Sequence, residues 1–232
     1  MHEALDPSRG PDRKEAFNVG LELAPDDPDL IAGKPFRSLN AWPNLPNFRK
    51  TQLVYFDASA ALGARLHRAF ADDLGVSPGF FADKFDRPMA TLRLLRYPAP
   101  STVEDDGIGA GAHTDYGNLT LLATDDVGGL EVRTRNGAWI EAPVVADAFV
   151  VNIGDCLMRW TNDVYVSTPH RVVNRSAGER YSIAFFFDPN PEAEVAAIPS
   201  CVRRGVESRY APILAADYLK FRLDASKPGG CP

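Results

Sequence analysis

Short runs of alternating apolar and polar residues fill the chain between residues 89 and 202 and predict β-strands, because successive side chains of a strand point to opposite faces. Turn residues separate the runs, and Asn136-Gly137 is the strongest hairpin signal among them. Many short strands at nearly even spacing indicate a sandwich or barrel, so we predict a mainly β core with flanking helices. The predicted strands cover residues 91–97, 119–124, 129–134, 139–145, 149–153, 156–160, 170–174 and 180–187.

The segment before this core, residues 1–50, is rich in Pro, Asp and Gly and predicts an extended arm with little regular structure. Residues 16–23 alternate well enough to form one short strand within it. We expect Trp42 and Phe48 to pack the arm onto the body of the protein, since large aromatic side chains are seldom left in water.

Residues 57–86 follow a helical period instead. Asp57 can cap a first helix whose apolar stripe ends at a glycine, and Ser77 can cap a second, short helix. His67 lies beside the stripe without a partner at metal-ligand spacing, which predicts a surface or packing histidine. Residues 208–223 return to helical periodicity and predict a C-terminal helix, so the 232 residues are expected to form a single domain.

Composition narrows the classes of function. The formal charge of -6 and the absence of any Lys/Arg-rich run argue against a nucleic-acid partner. No apolar run approaches the roughly 20 residues that a membrane helix requires. Cys156, Cys201 and Cys231 lie far apart without C-x-x-C spacing, which is typical of free thiols. We therefore expect a soluble, cytoplasmic protein.

Candidate metal ligands begin with the sequence His113-Thr114-Asp115. In a strand, His113 and Asp115 point to the same face, and a barrel can bring His170 opposite them. Two imidazoles and one carboxylate leave coordination positions open and suit non-haem Fe(II) that handles dioxygen, whereas structural zinc prefers four ligands and often cysteine. The pattern alone is weak, because polar residues without a metal also produce it.

Arg180 and Ser182 share one strand face ten and twelve positions after the distant histidine. An arginine that points into an apolar barrel is costly unless it meets an anion, and its forked donors suit a carboxylate. Tyr97 and Arg93 also share a face, from which both can reach the same carboxylate. Packing in the core is the alternative for each of these two side chains.

Five ordered segments carry a family resemblance. They are residues 92–98 (LRLLRYP), 109–122 (GAGAHTDYGNLTLL), 152–155 (NIGD), 167–172 (STPHRV) and 180–187 (RYSIAFFF). Together they resemble the isopenicillin N synthase-like branch of the Fe(II)/2-oxoglutarate-dependent oxygenases, over roughly residues 10–200.

The resemblance implies a double-stranded β-helix, a cupin-like jelly roll, over residues 89–202. It implies that iron is held by His113, Asp115 and His170. It further implies that Arg180 and Ser182 bind the distal carboxylate of 2-oxoglutarate, that Tyr97 assists them, and that residues 152–155 form a turn that is more structural than catalytic. Two features depart from the pattern: the long section that usually precedes the barrel is missing, and Leu95 stands where plant relatives often have asparagine.

The function expected from these residues is oxygenation of a small-molecule C–H bond, by hydroxylation or desaturation, with Fe(II), 2-oxoglutarate and O2 and with release of succinate and CO2. An Fe(II) oxidase that does not use 2-oxoglutarate and a catalytically silent ligand-binding jelly roll are the alternatives. Tyr116, Arg96, Phe185 and Phe187 are candidates to line the substrate pocket, with packing as the alternative. The substrate and the oligomeric state are not readable from the sequence.

Overall fold

A computed structural model describes residues 12–100 and 107–226. The strands are β1 (Glu15–Gly20), β2 (Thr91–Tyr97), β3 (Ile108–His113), β4 (Leu119–Thr124), β5 (Leu130–Arg133), β6 (Trp139–Glu141), β7 (Val150–Ile153), β8 (His170–Val173), β9 (Arg180–Phe187), β10 (Glu194–Val195) and β11 (Ile213–Leu214). The helices are α1 (Pro28–Ile31), α2 (Phe48–Asp73), α3 (Asp155–Trp160) and α4 (Ala215–Ala225), with 3-10 turns at Ala82–Lys84 and Pro199–Cys201.

Two antiparallel sheets form the double-stranded β-helix that the resemblance implied. One sheet has the order β1-β2-β9-β4-β7 and the other the order β3-β8-β5-β6. Apolar side chains from both sheets meet in one cluster, which contains Leu95, Ala110, Leu130, Val172 and Ala184. This cluster lies beside the polar pocket described below, so the two facing sheets form its walls.

The outer face of the five-stranded sheet is covered by α2. Phe56 of this helix packs edge-on against Phe185, with ring centroids 5.1 Å apart. The helix approaches so closely at Gly63 that an added Cβ would lie 2.6 Å from the ring of Phe187. Phe185 and Phe187 therefore belong to the core beneath α2, so the packing alternative is confirmed for both and the pocket-lining alternative is wrong.

Helix α2 starts at Phe48, nine positions before the predicted cap at Asp57. No glycine or proline interrupts residues 48–57, and Asn47 before them adopts a left-handed conformation. The expected packing by aromatic residues of the arm is observed, since Phe48 contacts both Phe17 and Trp42. The strand predicted in the arm is also observed, as β1, which pairs with β2.

Residues 156–160 form helix α3, so the strand predicted there is wrong. Cys156, Leu157 and Trp160 are all buried, and positions at this spacing lie on one side of a helix. Strand β6 ends at Glu141, before Pro143, rather than at residue 145.

Two further boundary differences concern helices. The short helix predicted from Ser77 is reduced to the turn Ala82–Lys84, because the segment instead directs Phe81 and Phe85 toward Trp160. The C-terminal helix begins at residue 215 rather than 208, because Pro212 precedes a short strand that pairs with β10.

His67 is a packing histidine, one of the two roles predicted for it. Only 3% of its surface is exposed, and it lies among aromatic rings that include Phe85 and Phe187. Its Nδ1 donates to the carbonyl of Gly63 at 2.8 Å, which leaves Nε2 to accept from the Asn118 amide. Burial lowers the pKa of His67 to about 4.

Within the described part of the chain, no helix is both long and apolar enough to cross a membrane.

Candidate metal centre and co-substrate pocket

His113 and His170 lie directly opposite each other on neighbouring strands. They are paired residues of the antiparallel strands β3 and β8, and their ring centroids are 4.4 Å apart. We expected His170 to lie across the barrel from His113, but the strand register places it beside His113 in the same sheet. The Nδ1 atoms bond to the carbonyls of Gly111 and Thr168, at 2.7 and 3.1 Å, so both Nε2 atoms are left to face one point.

Asp115 joins the two histidines from a loop. Strand β3 ends at His113, so the prediction that strand alternation aligns Asp115 with that histidine is wrong, although the side chains still converge. Oδ1 of Asp115 lies 3.6 Å from Nε2 of His170 and 4.0 Å from Nε2 of His113. The three potential ligand atoms lie within 4.8 Å of one another, a spacing that suits a single metal ion.

The other carboxylate oxygen of Asp115, Oδ2, accepts hydrogen bonds of 2.7 Å from both Thr120 and Asn152. Burial by itself would raise the pKa of Asp115, but His170, His113 and these two donors lower it below the ordinary value. Burial also lowers the pKa of His113 to about 4, with His170 adding to the effect. A charged carboxylate beside a neutral imidazole is the protonation state that a divalent metal requires.

A buried arginine lies farther along the pocket wall. Arg180 is fully buried, and its Nε donates to the carbonyl of Gly128 at 2.6 Å. Its Nη1 and Nη2 atoms, and Oγ of Ser182, have no hydrogen-bond partner among the described residues. A buried cation with unused donors is costly, so this corner of the pocket is suited to an anion such as a carboxylate.

Tyr97 is the residue paired with Arg180 across β2 and β9, and the guanidinium lies 4.9 Å from its ring centroid. Gly109 allows this arrangement, because an added Cβ there would lie 2.3 Å from the ring of Tyr97. Arg93 also lines the pocket, but it pairs with Ala184, four residues along the strand from Tyr97. Its participation in a carboxylate clamp stays a prediction.

One cavity of about 550 Å³ contains all of these side chains. Tyr116 lines it, as one of the two alternatives predicted, whereas Arg96 points outward and pairs with Glu15 and Glu179. The cavity is large enough for a co-substrate and a second small molecule, since ligand pockets typically measure about 300–1,000 Å³.

Asp188, which was not predicted from the sequence, also lines this cavity. It lies just beyond Phe187, where β9 ends, so no strand periodicity in the sequence assigns its side chain to the pocket. Its side chain covers Gly117 and accepts a hydrogen bond of 2.8 Å from the backbone N–H of Asn118. Burial, with the nearby charge of Asp115, raises the pKa of Asp188 to about 7.

Residues 90–189 match the 2OG-Fe(II) oxygenase superfamily. The structure superimposes with a TM-score of 0.83 on a full-length Neurospora crassa protein solved in complex with alpha-KG, at 36% identity over 94% of this chain and 67% of that one. The chain belongs to the 2OG-Fe(II) oxygenase superfamily. A superfamily protein from Caulobacter crescentus gives the same TM-score at 32% identity, over 96% of this chain and 74% of that one.

Among curated superfamily members, the 2-oxoglutarate-Fe(II) type oxidoreductase hxnY of Emericella nidulans is 37% identical over 225 residues. That match covers 94% of this chain and 64% of hxnY, so the chain spans less than two thirds of this relative's length. Fe(II) and 2-oxoglutarate are the cofactor and co-substrate of the superfamily, and the His-Asp-His cluster and the buried Arg180 fit them.

Proposed function

We propose that this chain is an Fe(II)- and 2-oxoglutarate-dependent oxygenase that hydroxylates or desaturates a C–H bond of a small molecule and releases succinate and CO2. His113, Asp115 and His170 would hold the metal, which binds and activates the oxo acid and dioxygen when it is present. Arg180 and Ser182 would hold the distal carboxylate of 2-oxoglutarate. Tyr97 would position Arg180 through its ring.

The single observation that carries this proposal is the buried Arg180, with two nitrogens and the Ser182 hydroxyl left without partners among the described residues. An arginine without an anion in such a site would lose several kcal/mol of solvation, whereas a carboxylate accepts two parallel N–H bonds from it. Membership of the 2OG-Fe(II) oxygenase superfamily favours 2-oxoglutarate as the anion that binds Arg180. The alternative is an oxidase in which Arg180 and Ser182 bind the carboxylate of the substrate itself. No further observation favours it.

A small molecule is the substrate class that we propose. Structures of the Neurospora crassa relative were solved with thymine and with 5-formyluracil, both small ring compounds. A cavity of about 550 Å³ leaves room for a molecule of that size beside 2-oxoglutarate. The acidic formal charge of -6 gives no support for a nucleic-acid partner.

The cytoplasm is the compartment that we propose. Cys156 and Cys201 are unpaired, and Cys156 is fully buried, which suits a protein made in a reducing environment. The third cysteine, Cys231, lies outside the described residues.

The test combines binding and turnover. Under nitrogen, Fe(II) followed by 2-oxoglutarate should produce a weak visible charge-transfer band in the wild-type protein, and admission of O2 should then release succinate. At a 2-oxoglutarate concentration that just saturates the wild type, Arg180→Met should not show the band, whereas Arg96→Met, which removes an arginine from the outer face of the neighbouring strand, should keep it. Iron binding without a band would favour the oxidase, and a band without succinate in the presence of candidate substrates would favour a silent binding protein.

A further inference from the structure

We propose that Arg222, on the C-terminal helix α4, is a positioning residue that holds the loop carrying Asp115 in its metal-binding geometry. The inference rests on the proposed role of Asp115 as a metal ligand. In this role Arg222 couples the packing of α4 against that loop to the binding of the metal, although residue 222 lies far along the chain from the ligands.

The contacts of Arg222 reach both sides of Asp115. Its Nη2 donates to the hydroxyl of Thr114 at 3.3 Å, and its guanidinium lies 4.4 Å from the ring centroid of Tyr116. Its Nη1 donates to Oδ2 of Asp155 and to the hydroxyl of Tyr218, the latter at 3.0 Å. One side chain therefore touches the residue before and the residue after the proposed ligand.

Asp155 extends the connection to the ligand itself. Its backbone N–H donates to the carbonyl of Asp115 at 2.8 Å, and its Oδ2 accepts from the Thr114 hydroxyl at 3.1 Å. This carboxylate is 2% exposed, and Arg222 is the cation that forms an ion pair with it in the described part of the chain. Removal of the guanidinium would leave a buried charge beside the loop, a change that forces rearrangement of its neighbours.

The two ends of α4 are held differently. At its start, Ala215, Ala216 and Tyr218 are buried in a core cluster with α3. In its later turns, Phe221 is 54% exposed, while Leu219 and Leu223, one turn apart, line the pocket, and Leu219 also packs against that cluster. Arg222 lies in this later part of the helix, and its contacts with Asp155 and Thr114 connect that part to the loop that carries Asp115.

Coupling between two sites is reciprocal, so a metal that favours the ordered loop must also favour the seated helix. Loss of the guanidinium should weaken Fe(II) binding, and Fe(II) binding should protect the backbone amides of residues 219–225 from hydrogen exchange. A side chain that only stabilised the fold would change unfolding without making this exchange depend on the metal.

The test uses anaerobic Fe(II) titration and hydrogen exchange with and without Fe(II), on the wild type, Arg222→Gln and Arg222→Lys. We expect Arg222→Gln to raise the Fe(II) dissociation constant by about tenfold, at the lower end of the 10- to 100-fold typical of residues that orient metal ligands. It should also abolish the metal-dependent protection of residues 219–225. Arg222→Lys keeps the positive charge but not the forked donors of the guanidinium, and it should give an intermediate Fe(II) affinity. This variant guards against a loss of binding that arises only because Arg222→Gln fails to fold.

Lys220→Gln is the matched control, because it removes a cation from the same helix whose partner is the exposed Asp224. It should behave as the wild type. The role of Arg222 would be overturned if Arg222→Gln bound Fe(II) as tightly as the wild type. It would also be overturned if hydrogen exchange of residues 219–225 in the wild type were the same with and without Fe(II). If the wild type binds Fe(II) but releases no succinate, only the proposed reaction fails; if it binds no Fe(II), both proposals fail.

Discussion

Asn152 donates a hydrogen bond of 2.7 Å to Oδ2 of Asp115, the carboxylate oxygen that faces away from the two histidines. Thr120, the residue paired with Asn152 across β4 and β7, donates to the same oxygen. The pair of donors orients the carboxylate so that Oδ1 points to the proposed metal position. Residues 152–155 join the end of β7 to the start of α3, and their more structural than catalytic role, which the resemblance implied, stays a prediction.

Replacement of Asn152 by leucine should weaken Fe(II) binding by about 10- to 100-fold, because Asp115 would lose one of the two bonds that fix its orientation. Anaerobic titration measures the affinity. Thr120→Ser keeps the second donor and serves as the control, with expected affinity near that of the wild type. Equal affinities for Asn152→Leu and the wild type would contradict this account of the carboxylate.

Arg180→Met should raise the dissociation constant of 2-oxoglutarate by about 100-fold or more, because hydrogen bonds between charged groups contribute about 1.5–3 kcal/mol each. Ser182→Ala removes one neutral donor and should cost about tenfold. Both constants can be measured by titration of the charge-transfer band under nitrogen. Fe(II) affinity should stay unchanged in both variants, and a parallel loss of metal binding would show that the fold, rather than the clamp, had been damaged.

Acid should destabilise the apo-protein partly through His67. Its pKa is about 4 in the folded chain against 6.5 for the free side chain, so the unfolded state binds more protons between these values. The stabilisation is therefore complete above about pH 6.5 and is lost as the pH falls toward 4, with a total on the order of 3 kcal/mol. Urea unfolding at several pH values should show a shallower pH dependence for His67→Gln than for the wild type. If the unfolding free energy depends on pH equally in His67→Gln and the wild type, His67 is not buried in its neutral form.

Asp188 should make the folding stability depend on pH in the opposite sense from His67. Its pKa is about 7 in the folded chain against 3.8 unfolded, so the folded state holds the proton more tightly. The associated stability is fully present below pH 3.8 and is lost as the pH rises through about 7, which makes the ionised side chain destabilising at pH 8. Asp188→Asn keeps an oxygen for the Asn118 N–H and should make the apo-protein more stable than the wild type at pH 8.

The gain from Asp188→Asn should reach at most about 4 kcal/mol at pH 8 and shrink at pH 5, because each pKa unit corresponds to about 1.36 kcal/mol. Denaturant unfolding at the two pH values measures it. Asp57→Asn changes an exposed aspartate of α2 and provides the control, with little effect expected at either pH. A variant less stable than the wild type at pH 8 would contradict the proposed cost of this buried carboxylate.

Local sequence pattern was sufficient for the features that depend on neighbouring residues. Strand alternation placed Arg180 and Ser182 on one face and identified β2, β4 and β9 to the residue, because the period of two is a local property of extended backbone. The choice of His113, Asp115 and His170 as ligands combined side-chain chemistry with the family resemblance, because the pattern of these residue types is weak by itself. Helix α3 was missed because a short apolar run reads alike as a buried strand or a buried helix.

The meeting of distant residues, by contrast, could be learned only from the folded chain. The register of β3 and β8 places His170 beside His113. The loop after β3, rather than strand alternation, places Asp115 near both histidines. The pairing of Asp155 with Arg222 joins residues 67 positions apart, and no local pattern encodes such a contact. These contacts depend on the packing of whole sheets and helices against one another, because burial and hydrogen-bond satisfaction are properties of the complete fold.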